Sequence, residues 1–495
     1  MRIFEEEKIT MTKNIRELEP KAIWTNFVGL NAVPRPSKKE ERVIQFILDF
    51  GKKLQLDTYK DEVGNIIIRK PATKGFENRK MVTLQSHLDM VHQKNNDTNF
   101  DFDVQGIQMY IDEDWVRAKG TTLGADNGLG VATIMALLES TGIPHPALEA
   151  LFTIDEETGM TGAKGLKAGL LKGEILLNLD TEEDDEIGIG CAGGIDVTAE
   201  GKYKEKSSPI NALAFEITVK GLTGGHSGMD IHKGLGNANK IMNRLLFLGS
   251  EKYKMRISKI NGGSLRNAIP RESIATVVVD KTQADNFQKD IAIWSLTIKE
   301  EKSLTEPNLE ITSIEVKKPR LVLPKKTQNN ILKAIYAAQN GVYGMSAAFD
   351  NLVETSNNIA RVEVNNGKIS IACLTRSSVD SAKMDLANSL RATFELADCK
   401  VTFSGDYPGW NPNPNSDILE VLKTQYQKVF NAAPHVAACH AGLECGILGQ
   451  NYPNIDMISF GPTIKGAHSP DERVSISSVQ KFWKYTLEIL KNSPE

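Results

Sequence analysis

A histidine and an aspartate stand two residues apart in Ser86-His-Leu-Asp-Met90, directly after the apolar run 81–84. Side chains alternate along a strand, so His87 and Asp89 face one side where that strand runs out. The pair offers a metal ligand together with a carboxylate that fixes its tautomer and raises its basicity. On its own it describes a histidine held in a loop equally well. Five more segments carry donors of the same kind: Asp126 in Gly124-Ala-Asp-Asn-Gly128, Glu156 and Glu157 in Asp155-Glu-Glu-Thr-Gly159, Asp180 in Asn178-Leu-Asp-Thr-Glu182, His226 in Gly224-Gly-His-Ser-Gly228, and His468 in Gly466-Ala-His-Ser-Pro470. Carboxylates with two or three imidazoles suit zinc, and also manganese or cobalt. Two such cations about 3.5–4 Å apart can together activate a water and polarise a carbonyl, so the chemistry on offer is hydrolysis.

The elements around these residues must bring them together. Apolar runs at 81–84, 148–154 and 174–179 read as buried strands, and each ends in histidine or acids. Collecting functional groups at the carboxyl ends of strands is how α/β sheets build sites. Helices are expected over 14–30, 38–54, 131–139 and 161–171, the first two split by Pro34-Arg-Pro-Ser. A strand is expected over 63–69 and a hairpin within 100–115. The glycine-rich loop Lys119-Gly-Thr-Thr-Leu-Gly-Ala-Asp-Asn-Gly-Leu-Gly130 lacks the Lys-Ser/Thr ending of a Walker phosphate loop.

Polar residues 202–209 mark a boundary. From 210 the order is strand 213–219, helix 235–248, strands 254–262 and 273–280, helix 284–297, strand 308–316. After Pro319 it recurs as strand 320–323, helix 327–340, strands 357–365 and 368–375, helix 378–396, strand 399–404. Two βαββαβ copies are therefore expected. The turn-rich Pro408-Gly-Trp-Asn-Pro-Asn-Pro-Asn415 leads to further helices at 416–430 and 477–490, with a strand at 456–460. The expected organisation is an α/β domain from residues 1–208 and 406–495, with a mixed, largely parallel sheet flanked by helices. It is interrupted by an inserted α+β domain at 209–405.

A chain of 495 residues exceeds one ordinary core. Its charge of −4 leaves no electrostatic footprint for nucleic acid. Five scattered cysteines without C-x-x-C spacing point to reduced thiols and a cytoplasmic protein. The acidic N-terminus lacks a signal peptide's apolar core, and Met11 is a possible start. No apolar run reaches the roughly 18 residues of a membrane span.

Taken in order, the six donor motifs resemble those of the di-zinc aminoacylase/carboxypeptidase superfamily of metallopeptidases. Cys439-His-Ala-Gly-Leu-Glu-Cys-Gly446 and Tyr407-Pro-Gly-Trp410 are similar to its aminoacyl-histidine dipeptidase branch, the Xaa-His dipeptidases or bacterial carnosinases. The resemblance covers nearly the whole chain. It implies a phosphorylase/hydrolase-like catalytic domain with a substrate-binding and dimerisation lid, and hydrolysis of dipeptides such as carnosine. By the same resemblance two divalent cations, Zn2+ with Co2+ or Mn2+ as options, would share Asp126, with His87 and Asp180 on one and Glu157 and His468 on the other. Glu156 would be the general base for the water between them, Asp89 would clamp the His87 ring, and the Asp126–Asn127 peptide would be cis.

The resemblance further assigns His226 to the tetrahedral oxyanion, and Asn267 and Arg376 to the substrate's carboxylate end. Glu444 would contact a substrate amine. If the inserted domain is duplicated, its second half stands where a partner's lid stands in dimeric relatives, so His226 would act in its own chain; a homodimer stays open. The remaining histidines (His92, His145, His232, His435 and His440) read as packing or surface residues, and Cys191 as a small buried residue. Other readings are a tripeptidase or N-acyl amino acid deacylase of the same superfamily, or a metal-binding protein without catalysis.

Overall fold

Three strands buried at every position, Val82–His87, Leu148–Thr153 and Ile175–Asn178, set the frame of the first half of the molecule. Strands covered on both faces read as continuous apolar runs, and these three run parallel, as such strands do. The computed structural model describes residues 14–95, 97–440 and 442–495, so the possible start at Met11 lies outside the described residues. Asp456–Ser459 adds a fourth parallel strand beside Ile175–Asn178. Ile66–Lys70 and Asp57–Lys60 add antiparallel on one side, and Glu186–Cys191 adds antiparallel on the other with His435–Cys439 beyond it, completing an eight-stranded sheet. Helices Lys21–Asn31 and Ala125–Glu139 share a core through Phe27, Leu129 and Ala132.

Some elements are shorter than expected. The first helix splits at Pro20, leaving a 3-10 turn at Ile15–Glu17 and a helix from Lys21. Residues 161–171 form a helix only over Thr161–Gly165, because Leu166 is extended and Gly169 has φ +85°. Of the expected 100–115 hairpin, only Met109–Asp112 and Trp115–Ala118 pair, so its strands begin later than the sequence suggests.

The chain divides by contacts into two units: residues 1–190, 413–437 and 447–495, and residues 191–412 with 438–446. Residues 191–208, 406–412 and 438–446, expected with the first unit, thus fall in the second. For 191–208 the reason is Gly193–Lys202, a strand of alternating burial that pairs with Lys368–Ser377 on one edge and Lys400–Tyr407 on the other.

That strand also changes the duplication. The second unit has a nine-stranded sheet with Glu310–Val316, Ala212–Lys220, Ser273–Asp280 and Arg256–Gly262 in one half. The other half runs Val353–Asn365, Lys368–Ser377, Gly193–Lys202, Lys400–Tyr407, and the ninth strand, Gly341–Met345, pairs with Val353–Asn365 off this path. Ala212–Lys220 lies between two antiparallel neighbours in the first half, and Gly193–Lys202 does so in the second. The two βαββαβ units are present, but the second takes its opening strand from upstream of the first. Leu321–Val322, expected there, is two residues long and pairs with Lys206–Ser207 in a separate two-stranded sheet. Leu245, Phe287, Ile331 and Leu390, from four helices, fill the core of this unit.

Candidate metal centre

Val82–His87 delivers His87 to the end of the parallel strands, with its side chain 1% exposed. Nε2 of the ring lies 3.1 Å from Oδ1 of Asp126 and 3.5 Å from Oδ1 of Asp180. Its Nδ1 faces Oδ1 of Asp89 at 3.3 Å and the Asp89 carbonyl at 3.1 Å. With Nδ1 directed at acceptors, Nε2 is left to ligate, which is the orientation a metal-binding histidine needs. Asp89 does more than clamp the ring. Its Oδ1 accepts the backbone N–H of Glu156 at 3.0 Å and its Oδ2 that of Glu157 at 3.3 Å.

Asp126 sits where the glycine loop turns into a helix. The helix runs Ala125–Glu139, but Asp126 and Asn127 depart from helical angles and the peptide between them is cis. Asn127 donates from Nδ2 to the Leu179 carbonyl at 2.9 Å and to Oδ1 of Asp180, tying two donor segments together. The other carboxylate oxygen of Asp126, Oδ2, is 3.0 Å from Nε2 of His468, and that same nitrogen is 3.0 Å from Oε2 of Glu157. Oε1 of Glu157 is buried without a hydrogen-bond partner.

Three groupings thus converge: His87 with Asp126 and Asp180; Asp126 with Glu157 and His468; and His87 with Glu156 and Glu157. Asp126 belongs to two of them, through different oxygens.

Electrostatics follow from this crowding. Burial alone would lower the His87 pKa, but Asp180, Asp126 and Asp89 raise it well above its ordinary value. His468, bonded to Asp126 and Glu157, is pushed up to about 11. Burial raises Glu157, while the two histidines hold Asp126 well below the usual carboxylate range against its own burial. Burial, then Asp126 and Asp180, push Glu182 up to about 8. Buried carboxylates outnumber imidazoles, one carboxylate oxygen is orphaned, and Asp126 offers one oxygen to each side. This donor set fits two divalent cations.

The second unit holds the other four expected site residues. His226 accepts at Nδ1 from the backbone N–H groups of Gly228 and Met229, at 3.2 and 3.0 Å. Nδ1 is therefore the unprotonated nitrogen and Nε2–H the donor. Burial and then Arg376 lower the His226 pKa, which keeps the ring neutral. The loop carrying Asn267 is joined to the His226 loop, since Ser227 N–H donates to the Asn267 carbonyl at 2.8 Å. Arg376, 4% exposed, donates from Nη1 to the Tyr407 hydroxyl at 2.8 Å. Glu444 is buried at the start of the helix Glu444–Asn451.

Sequence reasoning set His440 among packing residues, and it is buried with Nε2 2.8 Å from the Ser356 hydroxyl. Cys191 is fully buried, and that burial pushes its thiol up to about 12, which disfavours the reactive thiolate. All five cysteines are thiols outside any disulfide. Two residues passed unnoticed in the sequence: Arg35 and Glu472, each buried and bonded to the backbone beside Asp126. Their only signal was a charge between two prolines and an acid four residues after His468.

The sequence model of peptidase family M20/M25/M40 matches residues 83–492. The cytosol non-specific dipeptidase of Escherichia coli (strain K12) is 43% identical over 480 residues, 97% of this chain and 99% of that protein. The crystal structure of aminoacylhistidine dipeptidase from Vibrio alginolyticus superposes with a TM-score of 0.94 at 43% identity, over 98% of this chain and 99% of that one. An aminopeptidase structure from Bacillus cereus, at 15% identity and TM-score 0.56 over 96% and 98% of the two chains, shares the fold. Among the described residues no helix is long and apolar enough to cross a membrane.

Proposed function

The chain belongs to peptidase family M20/M25/M40, a metallopeptidase family, and from that premise we propose that it is a cytoplasmic dipeptidase acting on Xaa-His dipeptides such as carnosine. The observation that carries this reading is the meeting of His87, Asp126, Glu157, Asp180 and His468 around two oxygens of one aspartate.

In this reading His87 and Asp180 would hold one cation, Glu157 and His468 the other, and Asp126 both. When bound there, two divalent cations, zinc in the first instance, would supply Lewis acidity to the scissile carbonyl and to a water. Glu156 takes that water's proton and returns it to the leaving amine, general acid–base work worth roughly 10²–10⁴ in rate. Asp89 serves both tasks, since one carboxylate orients the His87 ring and anchors the backbone of Glu156 and Glu157. His226 donates its Nε2 proton to the developing oxyanion; two backbone amides on Nδ1 leave it no other tautomer. Arg376 and Asn267 take the substrate's carboxylate, where a guanidinium fork gives direction as well as charge. Glu444 is assigned to the substrate's amine.

The two relatives at 43% identity differ in the breadth their names describe, non-specific in one and aminoacylhistidine in the other. A panel of carnosine, other Xaa-His dipeptides, dipeptides without histidine, tripeptides and N-acyl amino acids, assayed with chelated and metal-reconstituted protein, tests the proposal. Metal-restored cleavage that favours Xaa-His dipeptides supports it. Equal rates on all dipeptides remove the histidine preference, and cleavage of only tripeptides or acyl amino acids removes the dipeptidase reading.

A further inference from the structure

Two buried charges of opposite sign grip one stretch of backbone beside Asp126 without touching each other. Glu472 is 2% exposed. Its Oε2 accepts the N–H groups of Leu123 and Gly124 at 2.7 and 3.0 Å, and its Oε1 those of Ala125 and Asp126 at 2.8 and 3.3 Å. Arg35 is 1% exposed. Its Nη1 donates to the carbonyls of Leu88 and Asp89, each at 3.0 Å, and its Nη2 to the Gly124 carbonyl at 2.5 Å and Oδ1 of Asn31 at 3.1 Å.

A buried charge is costly unless its hydrogen-bonding capacity is met. Here backbone meets it: successive amides pointing one way form an anion cradle for Glu472. Gly124 is held by its N–H on one side and its carbonyl on the other. The carbonyls that Arg35 takes come from two different segments, one carrying His87 and the other Asp126. One rigid guanidinium thereby fixes the separation of two donor loops. Space for it depends on glycine, since a Cβ at Gly124 or Gly128 would lie 2.5 or 2.6 Å from Nη2 of Arg35.

We propose that Arg35 and Glu472 are positioning residues that set the Asp126 carboxylate for its two cations before either binds. This rests on the reading of Asp126 as the shared ligand. The grip uses only protein groups, so it needs no cation to form.

Two measurements test it. In metal-free wild-type protein the amides of Leu123 to Asp126 are expected to exchange slowly with deuterium; fast exchange that slows only when Zn2+ is added overturns the proposal. Glu472→Gln removes the charge and puts an amide where an acceptor stood, while Arg35→Lys keeps the charge but not the fork. Titrated with Co2+, both are expected to bind the pair about 10–100-fold more weakly, with an altered visible spectrum. Wild-type affinity and spectrum in both variants overturn the proposal. If neither variant folds, the exchange result decides. Should wild-type protein take up no Co2+ pair, the metal reading falls, and the positioning role with it. A wild type that binds the pair beside variants that bind it equally well sinks the positioning role alone.

Discussion

Oδ1 of Asp89 accepts the backbone N–H of Glu156 at 3.0 Å while lying 3.3 Å from Nδ1 of His87. In the proposed function, the residue that orients a metal ligand therefore also seats the general base. Asp89→Asn keeps the shape but loses an acceptor. It is expected to weaken metal binding about 10–100-fold and to lower kcat even at saturating Zn2+, because Glu156 is also displaced. Metal titration alongside steady-state kinetics checks this. Full kcat at saturating metal would show that Asp89 serves the ligand alone.

The neighbouring glutamates separate by variant. Glu157→Gln replaces an oxygen that faces His468 at 3.0 Å, so it is expected to lose metal. Glu156→Gln should retain both cations and lose roughly 10²–10⁴ in kcat. Elemental analysis of each purified variant distinguishes the two. Metal loss in Glu156→Gln would make that residue a ligand instead.

Acid sensitivity is expected from the second unit. Burial, then Arg376, His226 and His232, lower the His440 pKa from 6.5 to about 3, so the folded protein keeps this ring neutral. Once unfolded, the ring binds a proton below about 6.5. Stability from this group is thus complete above pH 6.5 and is lost progressively as pH falls from there toward 3. Each pH unit in that window costs about 1.4 kcal/mol. Urea midpoints at pH 7.5, 6 and 5 measure the slope, which should flatten in His440→Gln. An unchanged slope would mean that the ring carries a proton in the folded state.

Gly128→Ala tests the space around Arg35. Alanine ordinarily stabilises a helix relative to glycine by about 1 kcal/mol. Here its Cβ would stand 2.6 Å from Nη2 of Arg35 and 2.9 Å from the Phe27 ring. Overpacking of this kind costs about 1–3 kcal/mol, so the variant is expected to melt lower and to bind metal more weakly. A raised melting temperature would mean that Arg35 moves aside freely.

The donor set was legible because each member closes an apolar strand or sits in a glycine-flanked motif, as His87, Asp126 and Glu157 do. Strand ends are visible in hydropathy, and glycines mark tight backbone. Arg35 and Glu472 were not legible, because a charge whose partners are backbone amides and carbonyls leaves no complementary residue type to find. Asp89 was read as a clamp for His87, yet its bonds to Glu156 and Glu157 depend on a loop packed from a neighbouring strand. Gly193–Lys202 was missed as a sheet strand for a similar reason. Alternation announces a strand but not which of two sheets it joins.

That strand carries a consequence for how the chain is made. Thr198 pairs with Ala372 on one side and Thr402 on the other. When the ribosome releases residues 193–202, both hydrogen-bonding partners are still unsynthesised, and they emerge later than Ser273–Asp280 and Glu310–Val316, the partners of Ala212–Lys220. The nascent molecule thus carries an unpaired ribbon until synthesis passes residue 377 and an open edge until it reaches residue 407, and long-range pairings of this kind close slowly. Cutting the gene at Pro319 would therefore not yield two self-sufficient halves, since the downstream piece would lack its own innermost ribbon.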